Sequence, residues 1–470
     1  MIELPKDFAQ RMEALLGDEY EAFCDVLQNE DSVKGLRVNS HKVDVDGFEA
    51  NSPFELEKIP YVKGGFIVSD EAQAGKHPYH HAGAYYMQDP GAMSAVAALP
   101  DEIWERDGLK ILDLCAAPGG KTTQLAARCA DKGGVVFSNE YVTARSKILA
   151  GNVERMGLSN VVVTNLDSKY IAEDYGGVFD LVVVDAPCSG EGMYRKNDNA
   201  ISEWSLQNVR MCAARQKEII ENAAKTVARG GYLLYSTCTY STEENEGVVA
   251  EFLDAHPDFS LCPCNASLKG HTADGIDITG GKHPELSYCR RFYPHLCRGE
   301  GQFVALLRFE GESSISAIRN GFKEPDKKDK EAAEALMKET LGRILRGICV
   351  VGGNLAVFSH HGDIHLPTRG LVAAGVTLGE ARKGRIIPHH HYFTAFGCEF
   401  VSKHSVASDS EAALRFIAGE EIDVPANLSG YTALLLEIGS TSITLGGGKA
   451  VGGKLKNYYP KGLRQLNLYR

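Results

Sequence analysis

Between about residues 109 and 308, short wholly apolar runs alternate with stretches of helical periodicity. "LKILDLC" (109–115) precedes "KTTQLAARCA", "GGVVFSN" (133–139) precedes "TARSKILAGNVERMG", and "NVVVTNL" (160–166) leads to "FDLVVVDAP" (179–187). The segment "LQNVRMCAARQKEIIENAAKTVA", apolar at 209, 213, 220, 223 and 227, then runs into "GYLLYST". Runs apolar on both faces suit strands covered on both sides, and Gly157 at the end of a periodic segment suits a helix stop. The alternation predicts a doubly wound α/β domain around a parallel sheet.

The pattern changes on either side. Residues 1–95 carry a mixed pattern, including "VKGLRVNSHK" and "HHAGAYYMQDPGAM", and are expected to form a small α+β N-terminal domain. The α/β domain is assigned to 96–310. Residues 311–331, "GESSISAIRNGFKEPDKKDKE", are polar, charged and poorly periodic, and read as a linker. From 332 to 470 short glycine-punctuated runs such as "GNLAVFSHHGDIHL" predict a β-rich region. No repeat of solenoid period is present.

Composition narrows the class. With 44% hydrophobic and 24% charged residues the chain is ordinary globular material. It has no run of about 18 apolar residues, the length a membrane helix needs. The start, "MIELPKDFAQRMEALLGDEYEAF", lacks an apolar signal core, so a cytoplasmic protein is expected. Twelve cysteines in 470 residues are too dilute for a disulfide scaffold and should be buried, metal-bound or catalytic. The net charge of −12 argues against a chain-wide grip on nucleic acid. Locally the balance reverses: the last 20 residues, "VGGKLKNYYPKGLRQLNLYR", hold five basic residues and no acid.

The first candidate site is "DLCAAPGGKTT" (113–123), at a strand-to-helix turn where glycines admit a ligand close to the backbone. Its "GGKT" ending resembles a P-loop, but that motif needs glycine where this chain has Cys115. A dinucleotide G-x-G-x-x-G is also absent. A smaller nucleoside ligand such as S-adenosylmethionine fits better. Glu140, after "VVFSN", could accept hydrogen bonds from both ribose hydroxyls, and Asp167 one from the adenine amino group. Taken singly, each acid is more often a helix cap or a solvated loop residue than a ligand. Three acids, with Asp113, ending successive strands beside a glycine turn mark the carboxyl edge where α/β sheets bind ligands.

Two further runs, "VVVDAPCSGEG" (182–192) and "GYLLYSTCTYS" (231–241), each stop at small polar residues around one cysteine. In the usual strand order these are neighbours, about 4.8 Å apart, so Cys188 and Cys238 should open onto one pocket. A thiolate adding to carbon 6 of cytosine activates carbon 5, a poor nucleophile by itself, for methyl transfer. Asp185 is placed to hydrogen-bond the ring nitrogen at position 3 or the amino group. Related DNA enzymes use a Pro-Cys nucleophile, so this chemistry by itself nominates Cys188, a choice that the resemblance described next reverses.

"DLCAAPGGKT", "DAPCSGEGMYRK", "YSTCT" and "RFYPHLCRGEGQFVALL" (291–307) resemble the motifs of the Sun/NOP/RsmB family of RNA 5-methylcytosine methyltransferases. "GLRVNSHK" (35–42) and "HPYHHAGAYYMQDPGAM" (77–93) resemble its N-terminal signatures, with Gly91 where many relatives carry serine. The tail "GKLKNYYPKGLR" (453–464) resembles the RsmF branch, which acts on small-subunit ribosomal RNA. The resemblance implies a Rossmann-like S-adenosylmethionine methyltransferase domain and a PUA-like module towards the C-terminus. It implies Cys238 as nucleophile, Cys188 in product release, and catalytic parts for Asp185 and Lys121. It implies a cofactor site of Cys115, Ala116, Ala117, Pro118, Gly119, Gly120, Lys121, Glu140, Asp167 and Asp185. The partner it implies is 16S rRNA or the small ribosomal subunit, bound by a monomer. A tRNA methyltransferase and a non-catalytic RNA-binding ribosome assembly factor are the alternatives.

The remaining features read blandly. Cys115 should pack beside its loop without reacting. Cys262, Cys264, Cys289 and Cys297 do not have zinc spacing, and no metal is expected. "HHH" (389–391) reads as a polar loop. Arg195 and Lys196 read as phosphate contacts or solvated loop charges. The basic tail with Tyr458, Tyr459 and Tyr469 suits an RNA-facing surface, with a solvated rim of the β-rich region as the alternative.

Overall fold

The alternating runs build one mixed sheet. A computed structural model describes residues 4–465 apart from 197, 314–318, 361 and 383. Its strands include β1 (Lys110–Asp113), β2 (Val135–Asn139), β3 (Val161–Thr164), β4 (Phe179–Asp185), β5 (Val227–Thr237) and β6 (Gln302–Phe309). Across the sheet the order is Ala273–Asp274, Arg290–Phe292, β6, β5, β4, β1, β2, β3, Leu371–Ala374, with Phe259–Cys262 also on β6. Strands β5 to β3 run parallel, and β6 is antiparallel to β5.

The two-sided apolar runs are the reason. Along β4, Val182 and Val184 enter the core on one face and Leu181 and Val183 the core on the other. Each such side chain contributes about 1.5–3 kcal/mol when buried. Helices α1 (Gly120–Cys129), α2 (Thr143–Met156), α3 (Leu206–Ala224) and α4 (Glu246–Ala255) cover those faces. Gly157 ends α2 at φ +69°, as its position predicted.

The N-terminal region has helices Lys6–Leu16 and Tyr20–Asn29 and a four-stranded sheet. The C-terminal region has one four-stranded and one five-stranded sheet, and helix α5 (His390–Phe396). These two regions share a core: Leu36, Phe48 and Tyr85 of the first pack with Phe416, Leu434 and Leu455 of the second. Tyr79 donates to the Glu437 carbonyl at 2.6 Å, and His81 Nδ1 meets the Tyr459 hydroxyl at 2.8 Å.

Four expectations change here. A helix spans Lys327–Leu341, beginning inside the segment read as linker; Asp326 caps it through the Asp329 N–H, and it buries Ala333, Leu336 and Met337. The charged run hid the spacing of those apolar residues. His389–His391 are not a loop: His389 caps α5, and His390 and His391 are 4% and 1% exposed. Tyr459 is buried rather than displayed for stacking, and Tyr469 lies outside the described residues. Leu371–Ala374, from the C-terminal region, joins the central sheet antiparallel to β3.

Candidate active site

The turn from β1 into α1 is held from several sides. Gly119 sits at φ +114°, where any side chain would be strained, and a Cβ there would press on Leu149 Cδ1 at 3.0 Å. Arg145 donates to the Ala117 carbonyl (2.8 Å), Asn152 to Pro118 (2.9 Å) and Arg37 to Gly120 (3.2 Å). Arg37 also donates to Thr123 Oγ1 at 2.8 Å and Gln88 Oε1 at 3.2 Å. Burial lowers its pKa to about 10, still a cation at neutral pH. The "GLRVNS" stretch thus buttresses the glycine turn, a role the sequence reading missed.

Acids gather at the carboxyl edge. Asp113, fully buried, accepts from Thr122 Oγ1 at 2.6 Å through Oδ2, while its Oδ1 has no partner. Burial raises its pKa to about 7. Glu140 is buried, accepts the Val142 N–H at 2.9 Å and lies 3.7 Å from Arg145. Asp113, Asp185 and Glu140 act through space on Cys115, whose half-buried thiol is pushed well up, chiefly by burial. Asp167 stands one strand further on, and its carboxylate caps the next helix through the Lys169 N–H at 3.0 Å. An adenosyl donor fits this edge: the turn favours glycine at its tightest point, and Asp113 Oδ1 is an unused buried acceptor beside it.

β4 and β5 end side by side, with Asp185 opposite Ser236. Asp185 Oδ2 pairs with Lys121 Nζ at 2.7 Å, and Oδ1 accepts from Ser236 Oγ at 2.9 Å and Gln302 Nε2 at 3.3 Å. Lys121 is 8% exposed and Asp185 35%, so the carboxylate faces the open side. Just beyond, Cys188 Sγ and Cys238 Sγ are 3.2 Å apart, both half-buried. The contact with Cys238 and burial raise the Cys188 pKa well above its usual value, which keeps that thiol protonated.

Arg195 and Lys196 are both paired with acids rather than free, although Lys196 stays exposed to solvent. Arg195 is buried, pairs with Glu300 at 3.2 Å and donates to the Gly299 carbonyl; Lys196 pairs with Asp89 at 2.5 Å. Gly91 is required in this chain, because a Cβ there would lie 2.3 Å from the Glu300 carbonyl oxygen. Among the described residues no group of three or more His, Cys, Asp or Glu is placed to hold a metal. Nor is any described helix long and apolar enough to cross a membrane. Glu191, Gln216, Glu244 and Asn245, all buried around the thiol loops, were also missed. The one available signal, "EEN" (243–245) a few residues past a strand end, reads from sequence as a helix start.

A parallel sheet in this order, with a glycine turn and acids along its carboxyl edge, defines a Rossmann-like methyltransferase. The family described as "16S rRNA methyltransferase RsmB/F" matches residues 103–308. The N-terminal domain of 16S rRNA methyltransferase RsmF matches 4–90, and the methyltransferase RsmF PUA domain matches 403–465. The ribosomal RNA small subunit methyltransferase F of Vibrio vulnificus is 31% identical over 100% of this chain and 99% of its own. That of Aeromonas salmonicida is 30% identical over 99% and 98%. A methyltransferase homolog from Pyrococcus horikoshii is 28% identical, with a TM-score of 0.56 over 65% of this chain and 95% of that one. The chain belongs to the RsmF family of 16S rRNA methyltransferases.

Proposed function

We propose that the protein methylates carbon 5 of a cytosine in 16S rRNA through a covalent adduct with Cys238. The observation that carries this reading is the thiol pair at 3.2 Å, beside the Lys121–Asp185 ion pair, on the edge that holds the glycine turn. The relatives' shared name, ribosomal RNA small subunit methyltransferase F, supports the RNA chosen.

The target base leaves its stack to reach the pocket. The Cys238 thiolate adds to carbon 6, forming the Sγ–C6 bond and moving electron density onto carbon 5. Asp185 hydrogen-bonds the N3 or amino side of the ring, where charge builds up. Residues 115–121 with Glu140, Asp167 and Asp185 would hold S-adenosylmethionine, which would supply the methyl group for carbon 5 and leave as the thioether S-adenosylhomocysteine. Transfer of the carbon 5 proton to a base, water included, lets its electron pair re-form the C5–C6 double bond as the Sγ–C6 bond breaks, restoring the aromatic ring and the thiolate. Cys188, kept as a thiol, assists that release.

Small ribosomal subunits from cells lacking the enzyme, incubated with it and a methyl-labelled donor, should gain label at a bisulfite-resistant cytosine. Cys238→Ala should give neither product nor adduct. Cys188→Ala should accumulate a protein–RNA adduct stable on a denaturing gel. An adduct captured by Cys238→Ala would exchange the two roles; label on another atom would overturn the chemistry.

A further inference from the structure

Glu243–Glu246 follow the Cys238 loop, and nothing in the reaction above uses them. Glu244, Asn245 and Glu246 are nevertheless completely buried. A buried acid is retained only where it is well partnered. Glu243 pairs with Arg11 of the N-terminal helix, and Glu246 takes Arg291 Nε at 2.7 Å. The two between them turn to the thiol loops.

Glu244 grips the loop of Cys188 on both sides of the thiol. Ser189, the next residue, donates its N–H at 2.9 Å and its hydroxyl at 2.5 Å to the Glu244 carboxylate. Gln216 of α3 donates to Glu244 at 2.8 Å and to the carbonyl of Pro187, the preceding residue, at 3.0 Å. Asn245 does the same for Cys238. It accepts the Thr237 hydroxyl at 2.6 Å and donates to the Thr239 carbonyl at 2.9 Å. The loops are then joined to each other. Ser189 Oγ meets Thr239 Oγ1 at 2.9 Å, Gly192 N–H donates to the Cys238 carbonyl at 2.9 Å, and Glu191 accepts from both Thr239 and the Tyr240 N–H.

We propose that Glu244 and Asn245 are positioning residues, Glu244 aiming the Cys188 thiol and Asn245 the Cys238 thiol. Their adjacency in the chain then fixes one sulfur relative to the other. This rests on the separate thiol roles proposed above. The Glu244 carboxylate has acceptor capacity for its three donors. A glutamine there would turn an N–H₂ towards Ser189 or Gln216, loosening the Cys188 loop more than the Cys238 loop, which Asn245 still holds. Displacing a reacting group by about 1 Å costs on the order of 10²-fold in rate, so a selective loosening is measurable.

The test uses the full chain, small subunits lacking the modification and a labelled donor, with rapid quenching to time adduct appearance and decay. Glu244→Gln should slow decay by about tenfold or more while formation stays within about twofold. Asn245→Ala should slow formation by about tenfold or more and leave decay of the adduct unchanged. If either variant fails to fold, Gln216→Ala and Thr237→Val must show the same selective slowing of decay and formation respectively. A parallel loss of both rates, or no loss of either, overturns the assignment. Cys188→Ala and Cys238→Ala run alongside. If neither Cys188→Ala nor Cys238→Ala collects adduct, the covalent reading itself fails; if Cys188→Ala does while Glu244→Gln turns over normally, only the positioning assignment falls.

Discussion

Two regions of the molecule concentrate buried polar groups, and they differ in what burial does to them. At the carboxyl edge of the sheet, Lys121, Asp185, Ser236 and Gln302 meet at 2.7–3.3 Å and Asp185 stays partly open. At the seam between the N-terminal domain, α2 and α5, His81, His390 and His391 are closed in and Glu154 and His389 lie at the margin. Both nitrogens of His390, His80 Nδ1 and His81 Nε2 lack partners, and Glu154 reaches His389 only at 4.0 Å. Burial lowers His390 and His391 to about 3 and Lys42 to about 7, and raises Glu154 to about 7. The seam strips charge, whereas the edge sets opposite charges against each other beside open space. Buried polarity alone does not mark a reactive site; convergence on an accessible surface does.

That contrast breaks if damage at the edge affects stability, or damage at the seam affects chemistry. Asp185→Asn should lower kcat by about 10²–10³-fold with little change in melting temperature, read by initial rates of methyl transfer and by calorimetry. A large fall in melting temperature with activity retained would make the edge structural. Acidification should act on the seam. His391 titrates near 3 when folded and at 6.5 when unfolded. Across that window the unfolded chain binds a proton the folded one refuses, so its contribution is present above pH 6.5 and is lost as pH falls. At pH 5 the loss is about 2 kcal/mol. Glu154 has the opposite sign between 4.5 and about 7, so the readout is the parent compared with His391→Gln, by denaturant unfolding at pH 7 and pH 5. The variant should show the smaller drop. Smallest of the three, Tyr459→Phe removes the hydroxyl that meets His81 and should cost about 1 kcal/mol of stability with the methylation rate unchanged.

Much of the edge was legible in the sequence, because it follows from local pattern. Apolar runs covered on both faces announce parallel strands, and the residues just after such runs fall at one end of the sheet. Cys188, Cys238, Asp185 and the 115–121 turn were found that way. The seam was not legible, because its character comes from partners distant in the chain. Three consecutive histidines look solvated until Tyr392 and Phe393 carry them inward. Arg195 and Lys196 look free until Glu300 and Asp89, more than a hundred residues away, are brought to them. Asp167 sits at the end of its strand as expected, yet its side chain caps a helix. Glu244 and Asn245 resemble any helix start; only their burial against two loops separates them from one.

The short strand Leu371–Ala374 seals the outer margin of β3, whose Val161-Val162-Val163 run is rich in β-branched residues. Cut away after residue 310, that margin would offer unsatisfied amide and carbonyl groups as a template for a neighbouring molecule. The isolated catalytic segment should therefore self-associate in solution. The C-terminal third of the chain thus covers a sheet margin that its removal would expose.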